Sequence, residues 1–129
     1  MLRGVTVCKT YSFCGAHHLP GYNGKCANDH GHTWKVEVSF NGPVRENGMV
    51  VDFHAIDALM ERPLEKLDHT NLNDTLQMPT AENIAIWFKE EIQLRIRALD
   101  APDIRVFPLL VKVRVWESPE AYAEVISAN

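Results

Sequence analysis

Residues 30–41 alternate with a period of two. His30, His32, Trp34, Val36, Val38 and Phe40 fall on one side, while Thr33, Lys35, Glu37 and Ser39 fall on the other. Successive side chains of a β-strand point to opposite faces, so this stretch buries its apolar side only as a strand. Both histidines belong to that apolar side. Two residues apart, they stand about 6–7 Å from one another along the chain and project in one direction. That spacing suits joint coordination of one small ion.

The remaining patterns build outward from this strand. Residues 4–14 are rich in β-branched and aromatic side chains and read as a first strand, followed by a Pro/Gly/Asn-rich loop at 19–29. Asn41-Gly42-Pro43 turns the chain. A helix is expected after Asp52, a good N-cap, with Phe53, Ile56, Leu59, Met60, Leu64 and Leu67 at helical spacing. Pro63 should break or bend it. Thr80 is a fair cap for a second helix carrying Ile84, Phe88, Ile92, Ile96 and Leu99 on one face. Asp100-Ala101-Pro102-Asp103 reads as a loop. Residues 109–117 alternate again, with Leu109, Val111, Val113, Val115 and Glu117 on one face, and a last strand covers about 121–127. The order is β-β-α-α-β-β, an α+β class with two helices on one face of an antiparallel sheet. The outer strands need partners, and closing the sheet across subunits of a homo-oligomer would remove the exposed edges. No repeat, low-complexity tract or linker interrupts residues 1–129, so one domain is expected.

Bulk properties exclude some classes of function. The formal charge of −4 argues against a nucleic-acid footprint, which needs a basic stripe. No segment approaches the roughly 20 apolar residues of a membrane span. The N-terminus lacks the apolar run of a signal peptide, so a cytoplasmic location is expected. Three cysteines without a C-x-x-C motif argue against a disulfide framework. Cys8 and Cys14, in or near an apolar-rich strand, are expected to be buried and inert. Cys26, flanked by Gly24, Lys25, Asn28 and Asp29, lies in a polar loop where its thiol can be reached.

His17 follows the first strand, which should pair with the second as a hairpin and carry a third imidazole to the same point. Three neutral imidazoles with an open fourth position are the pattern of catalytic zinc. A structural site closed by Cys26 remains an alternative on spacing alone. His18 is the weaker ligand candidate, and His54, in a first helical turn, is expected to be solvated.

Five motifs in order then resemble a known family: Ala16-His17-His18-Leu19-Pro20; Cys26-x-x-x-His30-Gly31-His32; Leu67-Asp68-His69-x-x-Leu72-Asn73; Pro79-Thr80-Ala81-Glu82-Asn83; and Val115-Trp116-Glu117-Ser118. The chain resembles the 6-pyruvoyltetrahydropterin synthase group from about residue 4 to 126. The single Cys in the C-x-x-x-H-G-H loop is closer to the bacterial branch, 6-carboxytetrahydropterin synthase of queuosine biosynthesis. The resemblance implies zinc on His17, His30 and His32, with Cys26 as the catalytic thiolate. It implies Asp68 and His69 as a proton-relay couple from a neighbouring subunit. Glu117 would anchor the pterin ring and join the catalytic group, with Thr80 and Glu82 bordering the pocket. On residues alone, Glu117 reads first as a solvent-facing strand end, and the resemblance reverses that preference. The implied fold is the tunnelling fold, whose subunits join into a barrel as a trimer or a hexamer of two trimers. The implied substrate is 7,8-dihydroneopterin triphosphate. A 6-pyruvoyltetrahydropterin product, or a non-catalytic zinc-binding assembly module, are the competing readings. Two departures stand out: His18, and a charged segment at 95–108.

Overall fold

A computed structural model describes residues 4–98 and 110–128. The expected loop at 100–103, Leu99, Leu109 and most of the charged 95–108 segment lie outside the described residues. The elements are β1 (Val5–His17), β2 (His30–Gly42), α1 (Phe53–Leu67), β3 (Thr70–Asn71), α2 (Ala81–Ala98), β4 (Leu110–Ser118) and β5 (Ala121–Ala128), with single 3-10 turns at Lys25–Ala27 and Leu72–Asp74. The strands form one sheet in the order β3-β1-β2-β4-β5, antiparallel except for the β1–β3 pair. The α+β arrangement expected from the sequence is present, with a two-residue parallel strand added. That dipeptide carries no periodic signal; it becomes a strand only because Thr70 and Asn71 land beside Gly15 and Ala16.

The hydrophobic core lies between one face of the sheet and the helices. Phe13, Trp34, Val36, Val38, Phe40, Val111, Val113 and Val115 enter it from the strands. Ile56, Leu59, Met60, Ile84, Phe88 and Ile92 enter it from the helices. Each of these is at most 1% exposed. Burying one such side chain contributes about 1.5–3 kcal/mol, so the alternation itself selects which sheet face is covered. The other face stays polar, where Arg114 donates from Nε and Nη2 to Glu124 Oε1 at 2.9 and 2.8 Å.

Three local expectations need correction. α1 runs unbroken through Pro63 to Leu67, so of the two expected effects of the proline the break does not occur. Pro63 has no N–H for the Leu59 carbonyl, but Leu59, Met60, Pro63 and Leu67 are all buried, and this packing offsets the lost bond. Cys8 and Cys14 are exposed, not buried. The phase of β1 explains it: Phe13 and Gly15 face the helices, so the cysteines face the uncovered side. His17 belongs to the strand itself as the last residue of β1, directly opposite His30.

Asp52 caps α1 through its carboxylate, which accepts from the His54 amide at 2.9 Å. Thr80 caps α2 by accepting from the Asn83 amide at 3.2 Å. The stripe Ile84, Phe88, Ile92 and Ile96 is buried as the periodicity demands.

One close approach joins fold to site. A Cβ added at Gly15 would stand 2.8 Å from Leu72 Cδ2 and 2.9 Å from its Cγ, and Leu72 is fully buried. Gly15→Ala is therefore expected to destabilise the protein by about 1–3 kcal/mol, the usual cost of overpacking. Urea unfolding checks it; a midpoint equal to that of the parent would show that Leu72 has room to move.

Candidate metal centre

The three histidines meet at one end of the β1–β2 hairpin. Pairing of His17 with His30 puts two rings side by side, and the pleat adds His32. Ring centroids are 4.5 Å apart for His17–His30, 5.1 Å for His17–His32 and 4.8 Å for His30–His32. Trp34 forms the floor, edge-on to His17 at 5.0 Å and to His32 at 5.4 Å. Its indole N–H donates to the Gly15 carbonyl at 3.2 Å, which holds the floor in place.

Two backbone carbonyls aim the rings. The Nδ1 of His17 lies 2.7 Å from the Pro79 carbonyl, and that of His30 lies 2.7 Å from the Asn28 carbonyl. A carbonyl only accepts, so each Nδ1 carries the proton and each Nε2 presents a lone pair. This is the usual way a metal-binding imidazole is oriented by a neighbour. His17 is 1% exposed. Its Nε2 and that of His32 are buried with no hydrogen-bond partner. Burial, the largest effect, pushes the His32 pKa down; Glu117 opposes it, while His17 and His30 add to it. A neutral ring is the form that binds a metal.

Glu117 completes the group. Among the described residues, one ligand atom from each of His17, His30, His32 and Glu117 lies within 4.8 Å of all the others. Orphaned buried nitrogens, fixed tautomers and an adjacent carboxylate fit a divalent ion of the zinc type. Glu117 shares the face of Val111, Val113 and Val115, and the β4–β5 register shifts between Trp116 and Ser118. Such irregularities re-aim side chains beside functional sites.

Asp68 and His69 do touch, at 3.0 Å between Asp68 Oδ1 and His69 Nδ1. The turn they need is a left-handed residue: His69 has φ +59°. β1 pins it, since the Cys14 amide donates to Asp68 Oδ1 at 2.9 Å and the His69 amide donates to the Cys14 carbonyl at 2.6 Å. The Cys14 amide is also the main reason the Asp68 carboxyl is held below the usual carboxylate range. Burial opposes that shift, and His69 adds to it. The His69 side chain is 80% exposed and lines an open groove with residues of both strands of the hairpin, among them Cys14, Gly15, His32 and Thr33.

Cys26 lies in the 3-10 turn Lys25–Ala27, four residues before His30; its side chain lies outside what is described. Thr80 acts as a helix cap, and Glu82 is exposed in the first turn of α2. His54 is solvated, with its side chain 93% exposed. His18 turns from the cluster: its Nδ1 meets Asp29 Oδ1 at 2.8 Å.

Sequence reasoning placed Asn73 in a motif but gave it no role. Its side chain accepts from the His18 amide at 2.9 Å and donates to the His18 carbonyl at 3.0 Å, so it acts as a strand edge where β3 has ended. The signal was its place in a short polar run after the helix. The Pro79 and Asn28 carbonyls had no signal, because every residue has a carbonyl.

A tunnelling-fold α+β subunit, with three histidines and a carboxylate that could hold a metal ion at the end of its hairpin, has the architecture of the tetrahydropterin synthases. Residues 6–127 match the 6-pyruvoyl tetrahydropterin synthase family, and the chain belongs to it. It is 39% identical over 94 residues to a 6-carboxy-5,6,7,8-tetrahydropterin synthase of Synechocystis, covering 66% of this chain and 72% of that one. It is 33% identical over 96 residues to a dihydroneopterin monophosphate aldolase of Pyrococcus furiosus, covering 74% and 76%. The Caenorhabditis elegans 6-pyruvoyl tetrahydropterin synthase structure superposes with a TM-score of 0.78 at 27% identity, covering 98% and 99%.

Proposed function

We propose that this protein is a zinc-dependent lyase that converts 7,8-dihydroneopterin triphosphate and water to 6-carboxy-5,6,7,8-tetrahydropterin, acetaldehyde and triphosphate, in queuosine biosynthesis. The observation that carries the reading is the convergence of the His17, His30 and His32 rings, with the Nε2 atoms of His17 and His32 buried and unsatisfied. Family membership supplies the substrate class.

His17, His30 and His32 would hold the ion. When bound, it supplies Lewis acidity to the substrate side-chain hydroxyls and acidifies the adjoining C–H. The protein's own groups then move protons. Cys26 Sγ, as thiolate, takes the carbon-bound proton; Lys25 beside it favours the anionic form. Glu117 receives the amidine-like N–H pair of the pterin through two hydrogen bonds. His69, backed by the Asp68 carboxylate, returns protons near neutral pH. Thr80 and Glu82 border the pterin pocket from the start of α2. Trp34 and the apolar strand face below it limit water at the reacting carbons.

The relay couple serves a neighbouring subunit's centre in this reading. Support comes from the exposure of the His69 side chain, 80% of which faces solvent in the single subunit. The outer edge of β1 before Gly15 and that of β5 have no strand partner among the described residues, which favours a barrel closed by further copies as a trimer or hexamer.

Product identification tests the reading. Incubation with 7,8-dihydroneopterin triphosphate is expected to release acetaldehyde and triphosphate in equal amounts. Triphosphate without acetaldehyde, alongside a pyruvoyl product, would assign the 6-pyruvoyl reaction instead. The Pyrococcus furiosus relative favours a second reading, and preferential turnover of 7,8-dihydroneopterin monophosphate would select it.

A further inference from the structure

His18 has no part in the imidazole cluster, yet its contacts link two segments that both carry proposed site residues. The Asn73 side chain holds the His18 main chain, accepting from its amide at 2.9 Å and donating to its carbonyl at 3.0 Å. Asn73 Nδ2 also stands 3.4 Å from His18 Nε2, and His18 Nδ1 stands 2.8 Å from Asp29 Oδ1. An amide nitrogen only donates, so Nε2 accepts from it and Nδ1 carries the proton that goes to the Asp29 carboxylate. One end of this chain of contacts is anchored in the core: Asn73 belongs to the 3-10 turn Leu72–Asp74, and Leu72 is fully buried. The other end is a loop without such an anchor. Residues 20–25 and 27–29 are all exposed. Among the described residues, the other hydrogen bonds of this loop are local. The amides of Tyr22, Ala27 and Asn28 each donate to a carbonyl three residues back, and the His30 ring meets the Asn28 carbonyl.

We propose that His18 is a positioning residue, which braces the loop carrying Cys26 against the Asn73 turn through Asp29. The proposal rests on the reading of Cys26 as the base. β2 starts at His30, so the Asp29 contact sets the direction in which the loop leaves that strand. Cys26 lies three residues before Asp29. Three residues of extended chain span about 10 Å, so a free Asp29 lets the thiol swing well out of register with its substrate. A misplacement of about 1 Å can cost on the order of 10²-fold in rate. Asn73 in turn lies four residues after His69, so the brace joins the segment of the proposed base to that of the proposed relay. The two short Asn73 bonds run to the His18 main chain. Removing the His18 side chain therefore cuts the brace without freeing the end of β1.

The test uses the whole chain, supplied with zinc, and four variants: His18→Ala, Asp29→Ala, the two combined, and His18→Asn, whose side-chain amide puts a donor close to where Nδ1 stood. Hydrogen exchange at the Ala27 and Asn28 amides reads the loop directly. It is expected to quicken about two- to fivefold in either alanine variant, the scale of a solvent-exposed pair. The combined variant should go no further, because both substitutions cut one contact. Parental exchange in His18→Ala, or effects that add in the combined variant, would overturn the brace. Turnover of 7,8-dihydroneopterin triphosphate reads the consequence. In His18→Ala, kcat is expected to fall on the order of tenfold while KM changes less than about twofold. Zinc per chain should stay at the parental level, and His18→Asn should recover most of the rate. An unchanged kcat, or a fall matched by lost zinc, sinks the positioning role. A parent that does not turn over this substrate ends the lyase reading and the catalytic role with it, while the exchange measurements still decide the brace.

Discussion

His17→Ala is expected to abolish the proposed zinc binding and, with it, turnover. Three effects combine. One of three imidazole donors disappears, and it is the most buried of them, leaving two rings beside the more exposed Glu117 carboxylate. The Pro79 carbonyl, which His17 engages at 2.7 Å, loses its partner just before α2 begins. A buried acceptor left unsatisfied costs about 1–3 kcal/mol. The ring is also 5.0 Å edge-on from Trp34, so its removal opens a void over the floor of the site. The measurements are zinc per chain by elemental analysis, turnover of the dihydroneopterin triphosphate, and thermal unfolding. One equivalent of zinc together with parental turnover in His17→Ala would show that the working centre lies elsewhere.

Cys26→Ala is expected to separate catalysis from metal binding. If the thiolate is the base, its loss removes a positioned proton acceptor, which is worth about 10²–10⁴ in rate. Zinc content should stay at the parental level, because His17, His30, His32 and Glu117 form a donor set that does not need the sulfur. KM should change far less than kcat, since the pterin ring is held by Glu117 in the proposed function rather than by the loop. Loss of zinc along with activity would instead favour the structural alternative, with Cys26 as a permanent ligand. Full activity in Cys26→Ala would remove the thiolate from the mechanism. Cys8→Ala is the control: that thiol lies on the uncovered sheet face, and its replacement should leave both readouts unchanged.

Much of the centre was legible because it is built on a local rule. Period two put His30 and His32 on the face of Trp34, Val36, Val38 and Phe40, and that face is the buried one. Hairpin pairing brought His17 opposite His30 inside β1, which runs to residue 17 where the pattern suggested an end at 14. The same rule also held the answer for Cys8 and Cys14. Their place in an apolar-rich stretch pointed inward, but their phase against Phe13 pointed outward, and phase decides when one sheet face is uncovered. Pro63 shows the opposite failure. The local rule against proline in a helix was correct about the lost hydrogen bond, yet the buried residues on either side of Pro63 outweighed it.

The chain's sequence by itself determined the long strands and helices, the covered face of the sheet and the side on which three imidazoles stand, since each follows from side-chain periodicity over a few residues. The tertiary structure alone decided how those rings are aimed, where the Glu117 carboxylate stands and how exposed His69 is. His17 is oriented by a carbonyl 62 residues away, and the Asp68–His69 turn is pinned by the Cys14 backbone 54 residues before Asp68. Backbone amides and carbonyls are the same at every position, so a contact made through them leaves no mark in the order of the side chains; only the packing of α1, α2 and β4 onto the hairpin selects which of them meet.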